Sequence, residues 1–165
     1  MHNDKVIYAT ALMFNRAFTR AAFVVKNRPV FLAGRICPTG GKVEPGETPR
    51  QAAAREHGEE TLVVTKEEAW VPYGRIERPG ATVHCFYTVS DEVESCRTNH
   101  AEENCEEVVV LDVKDVLVAA VTQPGRVVRP GRLQDSTSVA DDLAALIGLV
   151  FANRKHGDVA VLTGN

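Results

Sequence analysis

Residues 41–63 read GKVEPGETPRQAAAREHGEETLV, and the rest of the chain is read outward from this stretch. Pro49 suits the first turn of a helix, with Glu47 or Thr48 near its cap, and the helix should run to about Thr61. Glu56, Glu59 and Glu60 then stand at i, i+3 and i+4, on one helix face directly after Arg55. Like charges on one face repel, so the cluster is costly unless water or a cation offsets it. Hard carboxylate oxygens suit Mg²⁺ or Mn²⁺. A solvated acidic helix face has the same spacing, and spacing alone leaves both readings open.

The wider pattern separates them. It resembles the box of the Nudix hydrolases, G-x5-E-x7-R-E-U-x-E-E-x-G-U, with U an aliphatic residue. Gly41, Glu47, Arg55, Glu56, Glu59 and Glu60 fill the fixed polar and glycine positions, and Val63 the closing aliphatic one. The preceding Pro38-Thr39-Gly40-Gly41-Lys42-Val43-Glu44 is similar to the P-x-G-G-x-x-E lead-in of that family. Two positions depart from the pattern. His57 stands where the family has an aliphatic residue, and Leu62 where it has glycine. His57 lies about a quarter turn from Glu56, toward Ala53, Ala54 and Thr61, the side that should face a sheet. It is expected as a packed, hydrogen-bonded core histidine rather than a catalytic one. The family glycine closes the helix in a left-handed turn, which leucine does not adopt cheaply, so the helix is expected to end differently here. Gly58, inside the helix, costs about 1 kcal/mol against alanine and is read as relieving crowding beneath the site.

The chain has 165 residues, is 44% hydrophobic and carries a net charge of −3, which fits one ordinary domain with a core of its own. No run of about 18 apolar residues suggests a membrane span. The near-neutral balance argues against nucleic-acid binding by charge alone. The N-terminus has no signal-peptide pattern, so a cytoplasmic location is expected. Cys37, Cys85, Cys96 and Cys105 show no C-x-x-C spacing, so structural zinc is not expected and free thiols are. Cys37 is read as a packing or loop residue, with substrate contact as the alternative.

Strands are expected over residues 6–14 and 21–26, a short one over 30–33, and others over 70–76, 81–89 and 107–112. The 81–89 strand should alternate, with apolar residues at 83, 85, 87 and 89. Residues 91–107 read as an acidic, irregular stretch and 112–121 as a short helix. A loop covers Pro124 to Arg132. A last helix is expected from about Ser138 to Arg154, with Val139, Leu143, Leu146, Ile147, Val150 and Phe151 as its buried stripe. The expected organisation is one domain over residues 1–157 and a loose tail over 158–165. The order suits an α/β fold with a mixed β-sheet between helices, and the resemblance implies that same α/β/α sandwich.

The resemblance also implies a chemistry, the hydrolysis of a nucleoside diphosphate linked to another group. The phosphates repel a nucleophile; divalent metal offsets their charge and lowers the pKa of a bound water, whose proton a carboxylate then takes. Carried over position by position, Glu56, Glu59 and Glu60 with the Gly41 carbonyl would hold Mg²⁺ or Mn²⁺. Arg55 and Glu47 would pair and hold the loop against the helix, against the alternative of a surface ion pair for Arg55. The general base would be Glu56 or a glutamate on a later loop, where Glu102, Glu103, Glu106 and Glu107 lie; Glu103 is favoured, against a solvated charge run.

The substrate is less legible. Subfamilies resembling ADP-ribose pyrophosphatases carry a proline about sixteen residues beyond the box, and Pro79 stands there, although a Pro-Gly turn between strands explains it equally. Phe14, Phe18, Tyr73 and Phe86 are candidates for base stacking but read better as core. Arg126, Arg129 and Arg132 recur every third residue; Arg126 and Arg129 are candidate phosphate contacts, against a solvated loop. ADP-ribose or a similar derivative is the first expectation and a (d)NTP pyrophosphohydrolase the second. A binding module that has lost its chemistry is the third, against which stands the complete carboxylate set. A small-molecule nucleotide is the expected partner, a homodimer is left open, and neither a membrane nor nucleic acid is expected.

Overall fold

A computed structural model describes residues 5–122, 127–128, 136–139, 142–156 and 160–163. The apolar run near the N-terminus forms β1 (Val6–Phe14), and its odd and even residues enter two different cores. Ala9, Ala11 and Met13 pack with Ala52, Ala53, Trp70 and Phe86; Leu12 and Phe14 pack with Phe23, Ile36 and Leu146. A strand covered on both faces reads as a continuous apolar run, as this one does. β2 (Arg20–Val25), β3 (Arg35–Cys37) and β4 (Thr39–Lys42) precede α1 (Pro49–Thr61). β5 (Val71–Arg78), β6 (Ala81–Val89), β7 (Glu107–Asp112) and α2 (Val113–Thr122) follow. The last elements are β8 (Val127–Val128), β9 (Ser136–Val139), α3 (Leu143–His156) and β10 (Ala160–Thr163).

One edge of β1 pairs in parallel with β6 along its whole length, from Val6↔Ala81 to Phe14↔Val89. The other edge is shared. Tyr8–Ala11 pairs with β4, and Phe14 pairs with Ala21 of β2. β4 therefore leaves the sheet centre and leads into α1, placing the glycine turn beside the helix. β2 carries β7 and β3 on its two edges, and β6 carries β5. The sheet is mixed, as expected, and α1 lies on one face with α2 and α3 on the other.

Several expectations are corrected. Residues 30–33 form no strand. Leu32 and Ala33 donate back to the Pro29 carbonyl (2.8 and 3.1 Å), closing a turn that leaves Val30 and Phe31 exposed. The strand forms at β3 instead. β6 does not alternate, because β1 and β5 flank it and both faces are covered; Cys85, Phe86, Tyr87 and Thr88 are all buried and Val89 is exposed. The last helix starts at Leu143, not Ser138. Val139 is not in its stripe but in β9, beside β3, where β-branched residues are at home. Leu143, Leu146, Ile147 and Val150 are buried, and Phe151 packs against the same core. The segment expected as a loose tail contains β10, which pairs in parallel with Gly74–Glu77 of β5.

Candidate active site

Thr48 caps α1: its hydroxyl accepts from the Gln51 N–H, and the Gln51 side chain accepts from the Thr48 N–H. Ala52, Ala53, His57 and Thr61 are buried against the sheet, so Arg55, Glu56 and Glu60 lie along its β4 edge and Glu59 faces solvent. Leu62 ends the helix after all as the family glycine would, with φ 63°, its N–H on the Gly58 carbonyl at 3.0 Å. A leucine held left-handed is strained by about 1–2 kcal/mol. Gly58 is not relieving crowding: a Cβ there would meet its nearest neighbours at 3.8 Å, an ordinary contact.

Arg55 organises the acidic face. Its five donors go to Glu47 twice (2.7 and 3.1 Å), to Glu56 (2.9 Å), to Glu59 (3.0 Å) and to the Lys42 carbonyl (3.2 Å). Glu47 also accepts from the Glu44 N–H at 2.7 Å, which ties the loop to the helix as the box resemblance implied. The Arg55 guanidinium pulls the Glu47 carboxyl below its usual range, and Glu47 in turn holds Arg55 more firmly charged. Burial pushes the Glu56 carboxyl up despite Arg55, and pushes Glu60 up to about 7 despite Lys26. Glu59, with a side chain 49% exposed against 18% for Glu56 and 17% for Glu60, remains open to solvent.

The loop side brings a cation that the sequence did not single out. Lys26, just beyond β2, reaches Glu106 at 2.6 Å and Glu60 at 3.6 Å. Burial works against its charge, but Glu60 and Glu106 outweigh it and hold the ammonium above its ordinary range. The β2–β7 register explains the meeting: Val25 pairs with Glu107, so the next residues outward are Lys26 and Glu106. Glu106 also accepts from the Asn27 N–H at 3.0 Å. Glu103 is exposed and does not line the cavity beside the acidic face; of the later-loop carboxylates Glu102 and Glu106 line it, and Glu106 shares Lys26 with Glu60.

That cavity measures about 1180 Å³. It runs from Glu56, Glu59, Glu60 and Gly41, past Lys26 and Glu106, to Tyr8, Phe31, Arg28 and Arg78. Phe14, Tyr73 and Phe86 are core, and Phe18 packs against that core. The aromatics at the cavity are Tyr8 and the exposed Phe31, which the sequence reading had placed in strands. Cys37 is buried yet lines the same cavity, its thiol pushed up to about 11 by burial. Arg126, Arg129 and Arg132 lie outside the described residues. All four cysteines are free, and no described helix is long and apolar enough to cross a membrane.

The donor set is chemically suited to a hard divalent cation: carboxylates at Glu56, Glu59 and Glu60, with Gly41 against Glu56. The carboxylates do not converge as they stand, since Arg55 holds two and Lys26 draws on the third; among the described residues no three acidic, histidine or cysteine side chains gather into a metal site.

Residues 6–130 match the NUDIX domain family, well over half of the chain. The chain belongs to the Nudix family. Solved structures agree on the fold. A NUDIX hydrolase from Nitrosomonas europaea superposes with a TM-score of 0.65 at 12% identity, over 99% of this chain and 82% of that one. The ORF135 protein of E. coli gives 0.59 at 17%, over 92% and 91%. A MutT from work on Aliivibrio salmonicida and Vibrio cholerae gives 0.55 at 18%, over 68% and 83%. No curated protein matches the sequence significantly. The Nudix α/β/α sandwich expected from the sequence is therefore the fold; Arg55, Glu56, Glu59 and Glu60 lie on α1 and Glu47 on the loop before it.

Proposed function

We propose that this Nudix protein hydrolyses, with Mg²⁺ or Mn²⁺ as cofactor, a nucleoside diphosphate linked to another group, with ADP-ribose or a similar derivative as the substrate. The observation that carries the reading is the continuity of one cavity from the box carboxylates, past Lys26, to Phe31, Tyr8 and Arg28. Its volume is of the size that holds a nucleotide derivative, since ligand pockets run to about 1,000 Å³. Glu56, Glu59, Glu60 and the Gly41 carbonyl are the ligands for the cation. When bound, the cation offsets phosphate charge and makes a water acidic enough to attack at neutral pH. Glu56 would take the proton: Arg55 holds its Oε1, whereas both oxygens of Glu106 are engaged, one by Lys26 and one by the Asn27 N–H. Lys26 and Arg28 meet phosphate charge, and Phe31 and Tyr8 offer faces for a base. Arg55 keeps Glu56 and Glu59 in place without touching substrate.

A second reading is a (d)NTP pyrophosphohydrolase. It gains from Pro79, which occupies the β5–β6 turn ahead of Gly80 (φ 75°) and is not on the cavity wall, so the residue that leaned toward ADP-ribose acts in the turn. Product release from ADP-ribose, NADH, FAD, diadenosine polyphosphates and dNTPs, with each metal and a Glu59→Gln control, separates the readings. AMP and ribose phosphate from ADP-ribose, lost in the control, is the expected result. Pyrophosphate from dNTPs alone selects the second reading, and no turnover of any compound by folded protein returns the third, a binding module.

A further inference from the structure

We propose that His57 is a positioning residue, a strut whose Nδ1–H fixes the glycine strand β4 against the carboxylate helix α1. The role rests on reading the α1 carboxylates as cation ligands. Every residue of β4 meets α1: the Lys42 carbonyl takes Arg55 at 3.2 Å, and the three residues before it each meet one further residue of the helix. Thr39 Oγ1 lies 3.0 Å from His57 Nδ1, the Gly40 N–H donates to Glu60 at 3.0 Å, and Gly41 lies against the Glu56 carboxylate. The first of these sets the register of the other two, because it is fully buried while the site carboxylates reach solvent.

The direction of the hydrogen bond follows from counting protons. The Thr39 hydroxyl has one, and it goes to the Ala11 carbonyl on β1 at 2.8 Å. Its oxygen must then accept, so His57 donates from Nδ1. The relay runs from α1 through Thr39 to β1, tying three elements at one point. Nε2 is left as an acceptor and faces the Cys96 thiol at 3.9 Å. The ring is clamped edge-on to Trp70, with centroids 5.1 Å apart, and the His57 carbonyl takes the Thr61 hydroxyl at 2.6 Å. An aliphatic side chain at position 57 would fill this space but leave the Thr39 oxygen without its donor, and β4 would be tied to α1 only through Glu60, Glu56 and Arg55 at the more accessible end.

The test uses His57→Leu, which removes the strut, and His57→Asn, whose amide can still donate to Thr39. Thr39→Val is the second variant should His57→Leu fail to fold, since it removes the acceptor and keeps the histidine. Nitrogen-15 spectra of the imidazole should show a proton on Nδ1 and none on Nε2. Exchange of the Gly40 amide should be tenfold or more faster in His57→Leu and Thr39→Val and within about threefold of wild type in His57→Asn. Mn²⁺ binding followed by electron paramagnetic resonance should weaken tenfold or more in the first two and recover in the asparagine variant. An Nδ1 without a proton, or Gly40 exchange unchanged in His57→Leu or Thr39→Val, overturns the strut. Wild-type protein that binds no Mn²⁺ would instead refute the cation-ligand reading, with the imidazole and exchange data still deciding on His57.

Discussion

The Glu56 carboxylate occupies the space that a Cβ on Gly41 would need. Gly40, its neighbour, needs glycine for a different reason: its φ of 141° is foreign to other residues and a Cβ would strike the Ala9 carbonyl on β1. Gly41 has no left-handed backbone, so its requirement is local to Glu56. Gly41→Ala should therefore fold, displace the Glu56 side chain, weaken Mn²⁺ binding and lower kcat/KM by on the order of tenfold or more. Gly40→Ala should lower stability instead. Urea denaturation and Mn²⁺ titration of both variants read this, and equal loss of stability in the two would contradict it.

Arg55 has every donor engaged, two of them in a fork on Glu47. A lysine keeps the charge but cannot span Glu47, Glu56 and Glu59 at once. Arg55→Lys should lower kcat/KM by about 10–100-fold, as the loss of partners behind metal ligands does. The Glu47 and Glu56 pairs are partly buried, but lysine keeps the charge among them, so stability should fall by only on the order of 1 kcal/mol. Steady-state kinetics beside thermal melting checks both halves; activity within twofold of wild type would mean that the fork is ornamental to the site.

The end of α1 predicts two opposite stability effects. Gly58 sits in the helix interior with room for a methyl group, so Gly58→Ala should stabilise by about 0.5–1 kcal/mol. Leu62 already bears left-handed strain, and a β-branched residue bears more. Leu62→Ile, of equal size, should destabilise by about 1 kcal/mol. Urea midpoints measure both, and a neutral isoleucine variant would show that the cap relaxes out of the left-handed region.

The parts of the site carried by one segment were legible in the sequence. Cap, helix, glycine turn and the burial of His57 follow from spacings within residues 39–63, and the family resemblance carried by the same stretch implies the Arg55–Glu47 pair. The lead-in glycines and the three helix carboxylates belong to the same stretch. What was missed depends on distant pairing. Lys26 meets Glu106 across 80 residues only because β2 and β7 align, and each alone is a charge beside a turn. Phe31 looked like a strand residue because its neighbours are apolar, but Pro29 turns the chain and leaves the ring exposed at the cavity. β10 needs the free edge of β5, which composition does not reveal. Leu62 departs for a different reason: a left-handed leucine is locally costly, but the surrounding structure imposes the turn regardless.

His57 should make the protein labile to acid. Burial depresses its pKa from 6.5 to about 4, so the unfolded chain takes up a proton as pH falls below 6.5 while the folded chain refuses it until about 4. The stability that neutral His57 contributes is thus complete above pH 6.5 and is lost as pH falls toward 4. At about 1.4 kcal/mol for each pH unit between 6.5 and 4, the loss is bounded at about 3.5 kcal/mol. Glu60, pushed up to about 7, works in the opposite sense, since its folded form binds the proton more readily than an unfolded glutamate. The two are separated by comparing wild type with His57→Leu rather than by one curve. Urea denaturation at intervals from pH 7.5 to 4.5 should show the wild-type protein losing stability relative to the leucine variant as pH falls, with most of the divergence below pH 6.5. Parallel curves would mean that the imidazole is protonated in the folded protein, and that its environment is more polar than the buried contacts with Thr39, Trp70 and Cys96 indicate.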